Sequence, residues 1–379
     1  MLWTMDCGLW TITMKLIDQY ILKRFLSTFF FVVVILLAVI TVIDLTDKMD
    51  KFAKAGVTAS QIAGYYVDYI YWIGSLVTPI TIFIATVYVC AQMAGRTEVI
   101  AILSAGVSFK RFLLPFFIGA TIVAVLSFIL TGWVIPNSNK TRLAFEVQYL
   151  KTKFYFDKRN IHIQVAPDIY LYLQSYNNNT NVGYRFSIEK FENKRLVEKL
   201  TADRIEWDTV KQKWTLRDYK IKKIDRLFET TSAINYRDSI ITGTSIDTAL
   251  VIHPREFESD YRKYDGMTLT ELNDYITTLK ARGSAGVEAY EVEKYTRYTS
   301  PFTIFILVFM GAIVSSRKSR GGTGLQIALG FALSFVFILF FTLFRTFAEA
   351  GSTPPQISVW VPNILFGIIS LVMYKYVPR

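Results

Sequence analysis

Residues 112–135, FLLPFFIGATIVAVLSFILTGWVI, run without a charge for the length a helix needs to cross a bilayer. Residues 161–174, IHIQVAPDIYLYLQ, alternate apolar and polar side chains in strand fashion. That change of period decides the fold. Working outward, comparable apolar stretches lie at about 25–43 and 70–93 before it, and at 298–314, 325–344 and 357–374 after the polar stretch. The expectation is a membrane protein of six transmembrane α-helices, three and three, around an inserted antiparallel β-domain of sandwich or jelly-roll type. Its parts would be 1–136, an N-terminal extension with the first three spans; 137–265, the β-domain; 266–296, a helical connector; and 297–379, the last three spans.

Charge sets the orientation. Assigned alternately, the segments between spans put Lys15, Lys23, Arg24, Arg96, Lys110, Arg111, Arg317, Lys318, Arg320, Lys375 and Arg379 on one side, against Lys48, Lys51, Lys54 and Arg345 in the short segments opposite. Basic residues near spans resist translocation, so the first set is expected inside, with both termini, and the insert outside. The same distribution removes the net charge of +11 as a sign of nucleic-acid binding: residues 137–296 hold 26 basic and 23 acidic residues and are near neutral.

Within the insert, Ile161, Ile163 and Val165, then Ile169, Leu171 and Leu173, alternate with polar neighbours; Tyr184, Phe186 and Ile188 resume the pattern after the loop Asn177 to Asn181. Glu192, Asn193 and Lys194 form a turn, and the runs 200–207 and 214–224 read as a hairpin. Thr268 to Glu271 has capping-box spacing, with Leu269, Leu272, Ile276 and Leu279 on one helical face and Gly283 as its stop. The first span is too long for a signal-peptide core and reads as retained; Met14 is the expected start, because Met14-Lys15 opens a basic, amphipathic lead into the span and Met1 to Thr13 does not share its character.

Several classes of chemistry lack their residues. Gly321-Gly322-Thr323-Gly324 has neither the lysine nor the following hydroxyl of a phosphate-binding loop and reads as a turn. His162 and His253 stand apart from acidic or sulfur ligands, and Cys7 and Cys90 have no metal-ligand neighbours, so no metal site is expected. The chain itself is expected to bind no cofactor and to be no enzyme; the energy source would be a partner. Tyr65, Tyr66, Tyr69, Tyr71 and Trp72 crowd the outer end of span two, where such rings prefer the headgroup layer.

Between spans two and three, residues 96–106 read as a short amphipathic helix, with Glu98 in its first turn, Gly106 as its stop and Ser108 as the cap of the next helix. Two readings fit it: a capped loop helix, or a docking element. The run Arg96-Thr97-Glu98 to Ala105-Gly106-Val107-Ser108 resembles the cytoplasmic coupling helix of the LptF/LptG permeases of the lipopolysaccharide export ABC transporter. The likeness extends over nearly the whole chain from Met14, through the start Met-Lys-Leu-Ile-Asp-Gln-Tyr-Ile-Leu and the three-plus-three spans around a β insert.

The resemblance implies a bacterial inner-membrane permease with a periplasmic β-jellyroll. It implies a second LptF/LptG-type permease as partner, a cytoplasmic ABC ATPase dimer that uses ATP and Mg, periplasmic jellyroll bridge proteins, and lipopolysaccharide as cargo. Arg96, Glu98, Val99, Ile102, Leu103 and Gly106 would form the ATPase coupling site, Glu98 pairing with an ATPase arginine while Val99, Ile102 and Leu103 fill its groove. Lipopolysaccharide carries phosphates, so Lys48, Lys51, Lys54, Arg142, Arg297 and Arg345, at the outer height of the spans, are the candidate substrate rim. Each alone also fits a snorkelling role, and Arg345 has Glu349 one helical turn later. Asp44, Asp47 and Asp50 depart from the basic pattern expected there, and Lys54-Ala55-Gly56 with Pro354-Pro355 leans toward the G-type. A permease for another glycolipid, and a membrane-anchored β-ectodomain that binds or scaffolds, are the competing readings.

Overall fold

Among the described residues, six helices are long and apolar enough to cross a membrane, three before and three after an antiparallel sheet in chain order. The computed structural model describes residues 16–150, 159–224, 239–250, 252–254, 263–282, 286–316 and 322–375. The readings placed on Met1 to Lys15, Gly283, Arg317, Lys318, Arg320, Gly321 and Arg379 lie outside these residues. The chain forms two compact units, residues 1–142 with 291–379, and residues 143–290.

In the helical unit, α1 (Leu16–Ala55) and α2 (Ala59–Gly95) are followed by the short α3 (Glu98–Ser104) and by α4 (Phe109–Ile129). A π-type turn over Leu130–Val134 carries α4 into α5 (Ile135–Phe145), so the third span continues well past residue 135. The last three spans are α7 (Val287–Ser315), α8 (Gly322–Glu349) and α9 (Pro355–Lys375). Helix α7 therefore begins inside the stretch expected as connector, and Gly322 to Gly324 open α8 instead of forming a turn.

Helix α2 supplies the centre of the bundle, burying Ile82, Phe83, Ala85, Val87, Val89, Cys90 and Met93. Small residues permit close approach: a Cβ on Gly119 of α4 would lie 2.6 Å from the Phe25 ring of α1, and one on Gly330 of α8 would lie 3.0 Å from Val87. Phe25 and Phe116 meet edge to face at 5.5 Å. Deep in the bundle, Thr303 Oγ1 of α7 donates to Asn363 Oδ1 of α9 at 2.8 Å, a polar link whose partners would otherwise face hydrocarbon.

The inserted unit is a six-stranded antiparallel sheet: β1 (Ile161–Ala166), β2 (Ile169–Asn177), β3 (Val182–Glu192), β4 (Arg195–Asp208), β5 (Lys213–Lys223) and β6 (Ser239–Thr248). Strands neighbour one another in chain order, β1 to β6. The expected inserted β-domain is present, and its strand order is a meander; no Greek-key crossover joins the described strands. Asn193 and Lys194, with φ of 49° and 63°, make the two-residue turn between β3 and β4. Helix α6 (Leu269–Ala281) comes next, and its capping box is formed: Thr268 N donates to Glu271 Oε2 at 2.9 Å, and Glu271 N to Thr268 Oγ1 at 3.3 Å.

One feature of the sheet breaks simple alternation. The core row Leu173, Phe186, Ala202, Tyr219 and Gly243 is succeeded, three residues on instead of two, by the core row Tyr176, Gly183, Ile205, Leu216 and Ile246. Two polar positions per strand lie between the rows, among them Arg185 and Asp218, whose φ of 49° and 51° turns the backbone left-handed. A strict period of two would throw one row to the opposite face; the slip in five strands at the same height keeps both rows inward. The core closes on Trp214, which has no exposed surface and donates its indole N–H to Ile252 O at 2.8 Å.

Replacing Trp214 with alanine removes the largest core side chain and is expected to destabilise the β unit by about 3 to 5 kcal/mol. Thermal unfolding of the purified full-length protein, read by proteolysis within residues 160–224, checks this; Val210→Ala, at 91% exposure, is expected to stay within about 0.5 kcal/mol of wild type.

Candidate functional site

Two abrupt turns isolate α3. Thr97 enters it at φ 62°, and Gly106 leaves it at φ 84°, a conformation that glycine adopts without strain. Ser108 Oγ then accepts from Arg111 N at 3.4 Å and starts α4. Residues 99, 102 and 103 share one helical face, and that face turns into the chain's own core: Val99 is 1% exposed, and Ile102 and Leu103 pack partly buried against the same cluster. The expectation that Val99 fills a partner's groove is therefore corrected, because its side chain is consumed in seating α3. Ile100, 54% exposed, stands outward with Ala101 and Ser104. Sequence reasoning missed Ile100, although an apolar residue out of phase with the buried stripe is the signal that marks it.

Glu98 keeps 28% of its side chain exposed and lies 3.6 Å from Arg24 Nη1 and 3.9 Å from Arg96 Nη1. Arg24 also donates to Tyr20 Oη at 2.6 Å and to Gln92 Oε1. Nearby, Arg111 Nη2 donates to Asp18 Oδ2 at 2.5 Å.

At the opposite helix ends, most of the expected basic rim is already engaged. Lys48 Nζ donates to Asp44 Oδ2 and Tyr65 Oη, each at 2.8 Å, and sits 5.2 and 5.1 Å from the ring centres of Tyr65 and Tyr69. Tyr66 Oη donates to the same Asp44 carboxylate at 3.0 Å. Tyr65, Tyr66 and Tyr69 are buried with Phe52 between α1 and α2, which corrects the headgroup-belt reading for these three rings. Arg142 is buried, lies 4.3 Å over the Trp72 ring and donates from Nε to Asn139 Oδ1 at 2.9 Å.

Arg297 and Arg345 are brought together by Glu293, a residue the sequence reading passed over although it precedes Arg297 by one helical turn. Arg297 Nε donates to Glu293 Oε1 at 2.9 Å, Arg345 Nη2 to Glu293 Oε2 at 3.1 Å, and Arg345 Nε to Glu349 Oε1 at 2.7 Å. Lys51 and Lys54 remain exposed, without an ion pair among the described residues. In the β unit, a cavity of about 630 Å³ opens on the polar double row, lined by Arg159, Gln174, Ser175, Tyr184, Arg185 and Asp203.

The family model for the lipopolysaccharide export system permease LptF/LptG matches residues 19–376. The chain belongs to the LptF/LptG family. No curated protein sequence matches it. LptF/LptG permeases are transporter subunits and not enzymes, so this multi-pass membrane protein serves lipopolysaccharide export. In an LptF/LptG permease, the exposed face of α3 and Lys51 and Lys54 in the last turns of α1 are surfaces left over once internal packing and pairing are satisfied.

Glu293 joins α7 to α8 through Arg345 and also holds Arg297 one turn along its own helix, and Glu293→Ala leaves both arginines without their shared carboxylate. A loss of about 3 to 5 kcal/mol is expected, read as a lowered thermal midpoint in detergent. Glu349→Ala, at the more exposed end, is expected to cost less than about 1 kcal/mol.

Proposed function

We propose that this chain is one of the two permease halves of an ABC transporter that lifts lipopolysaccharide from the bacterial inner membrane and passes it to a periplasmic bridge. The observation that carries the reading is α3: a short helix seated by Val99, Ile102 and Leu103, offering Ile100, Ala101 and Ser104 outward with Glu98 at the edge, in an LptF/LptG chain. A cytoplasmic ATPase dimer docks on that face and supplies the ATP hydrolysis. The basic residues beside the spans support cytoplasmic termini and a periplasmic β unit.

A second LptF/LptG-type permease completes the lipid cavity. Only 6% of the most apolar stretch of α1 and 17% of that of α8 are buried within this chain, which leaves two helices whose surfaces need lipid or a partner. Of the two permease types this one is the G-like. Lys51 and Lys54 make the first contacts with lipid phosphates, while Lys48, Arg142, Arg297 and Arg345 form a rim held in place by their own partners.

Docking of Glu98 on an ATPase arginine is a charge-assisted contact of about 1.5 to 3 kcal/mol. Glu98→Ala is therefore expected to reach the membrane at normal level, to lose co-purification of the ATPase, and to fail to support growth as the sole copy. Normal growth with this variant contradicts the reading.

A further inference from the structure

Two ion pairs hold the foot of α1 on either side of α3. Asp18, nearly buried, is bonded to Arg111 in the first turn of α4, just after α3. Arg24 reaches Glu98 at the start of α3 and Gln92 near the end of α2, just before it. Ile21, Phe25 and Phe29 continue the stripe begun by Asp18, at the i, i+3, i+4 spacing of one helix face, and Phe25 is pressed against Gly119 and Phe116 of α4. After Phe29 the next buried residue of α1 is Phe52. The helix is thus gripped at its foot, held again from Asp44 to Phe52 at its far end, and only half-buried along one face between.

The body of α1 is suited to carry force. It is a continuous helix of 40 residues without proline or glycine, whereas α2, α4, α7 and α9 each contain a proline. From Asp18 to Lys48 it spans about 45 Å at 1.5 Å per residue. At that end lie Lys48 in its tyrosine cage and the exposed Lys51 and Lys54.

We propose that the pairs Asp18–Arg111 and Arg24–Glu98 clamp α1 to the flanks of α3, making α1 the strut that carries movement of α3 to the lysine-bearing end of the permease. Asp18, Arg24 and Arg111 are positioning residues; they act through α1 and touch neither nucleotide nor lipid. The inference rests on the docking of an ATPase at α3.

The test uses the whole permease–ATPase complex in proteoliposomes containing lipopolysaccharide, with a soluble bridge protein as acceptor. Three quantities are read: ATPase co-purified, ATP hydrolysed, and lipopolysaccharide delivered per ATP. Asp18→Arg and Arg111→Asp are each expected to keep the first two within twofold of wild type and to lower the third at least tenfold. The double exchange, with the pair restored in reverse, is expected to return delivery to within threefold. Arg24→Gln, which leaves Asp18 and Arg111 in place, is expected to lower delivery per ATP at least fivefold, with Arg24→Lys at least threefold above it. Single variants that deliver normally, single variants that shed the ATPase, or a double exchange that stays as poor as the singles while Arg24→Gln is normal would each overturn the clamp. A wild-type chain that holds no ATPase would instead overturn the proposed function, and the strut with it.

Discussion

Charge withdrawn from water at the ends of a helical bundle has to be matched inside the chain, and the helical unit is arranged around that requirement. At one end Asp18 meets Arg111 and Glu98 meets Arg24; at the other Lys48 meets Asp44, and Glu293 stands between Arg297 and Arg345. Each match joins elements distant in sequence or fixes a side chain against its neighbours. The residues that look most like free anchors for a phosphorylated lipid are the ones already bound, and the foot of α1 is tied to the segment on which an ATPase would dock.

The β unit answers a different constraint. A sheet that must keep an apolar face along long strands cannot change direction without losing its alternation. Here five strands slip phase at one height, and Arg185 and Asp218 accept left-handed backbone to let them do so. The double row of polar residues that results carries the cavity lined by Arg159, Arg185 and Asp203. Trp214 and Ile252 seal the opposite, apolar face.

Much of this was legible in the residues. Uncharged runs such as 112–135 specify spans because length and apolarity are the whole requirement, and Thr268 with Glu271 or Ser108 before α4 specify helix starts because caps are local. The direction in which α3 faces was not legible. Val99, Ile102 and Leu103 are an amphipathic stripe either way, and only the bundle decides that the stripe points inward and leaves Ile100 outside. The pairing inside the rim was not legible for the same reason: Glu293 precedes Arg297 in plain view, but its bond to Arg345 crosses from α7 to α8 and depends on how the two helices pack. Tyr65, Tyr66 and Tyr69 have the composition of an interfacial belt and the position of a core.

The central claim is that an external ATPase works this permease through the outward face of α3. A photoreactive amino acid placed singly at residue 99 or at residue 100, in cells that carry the full export system, reads that face directly. The account predicts an adduct with the ATPase from position 100 and none from the buried position 99. An adduct from position 99 alone, or none from position 100 while the permease is otherwise functional, would contradict it.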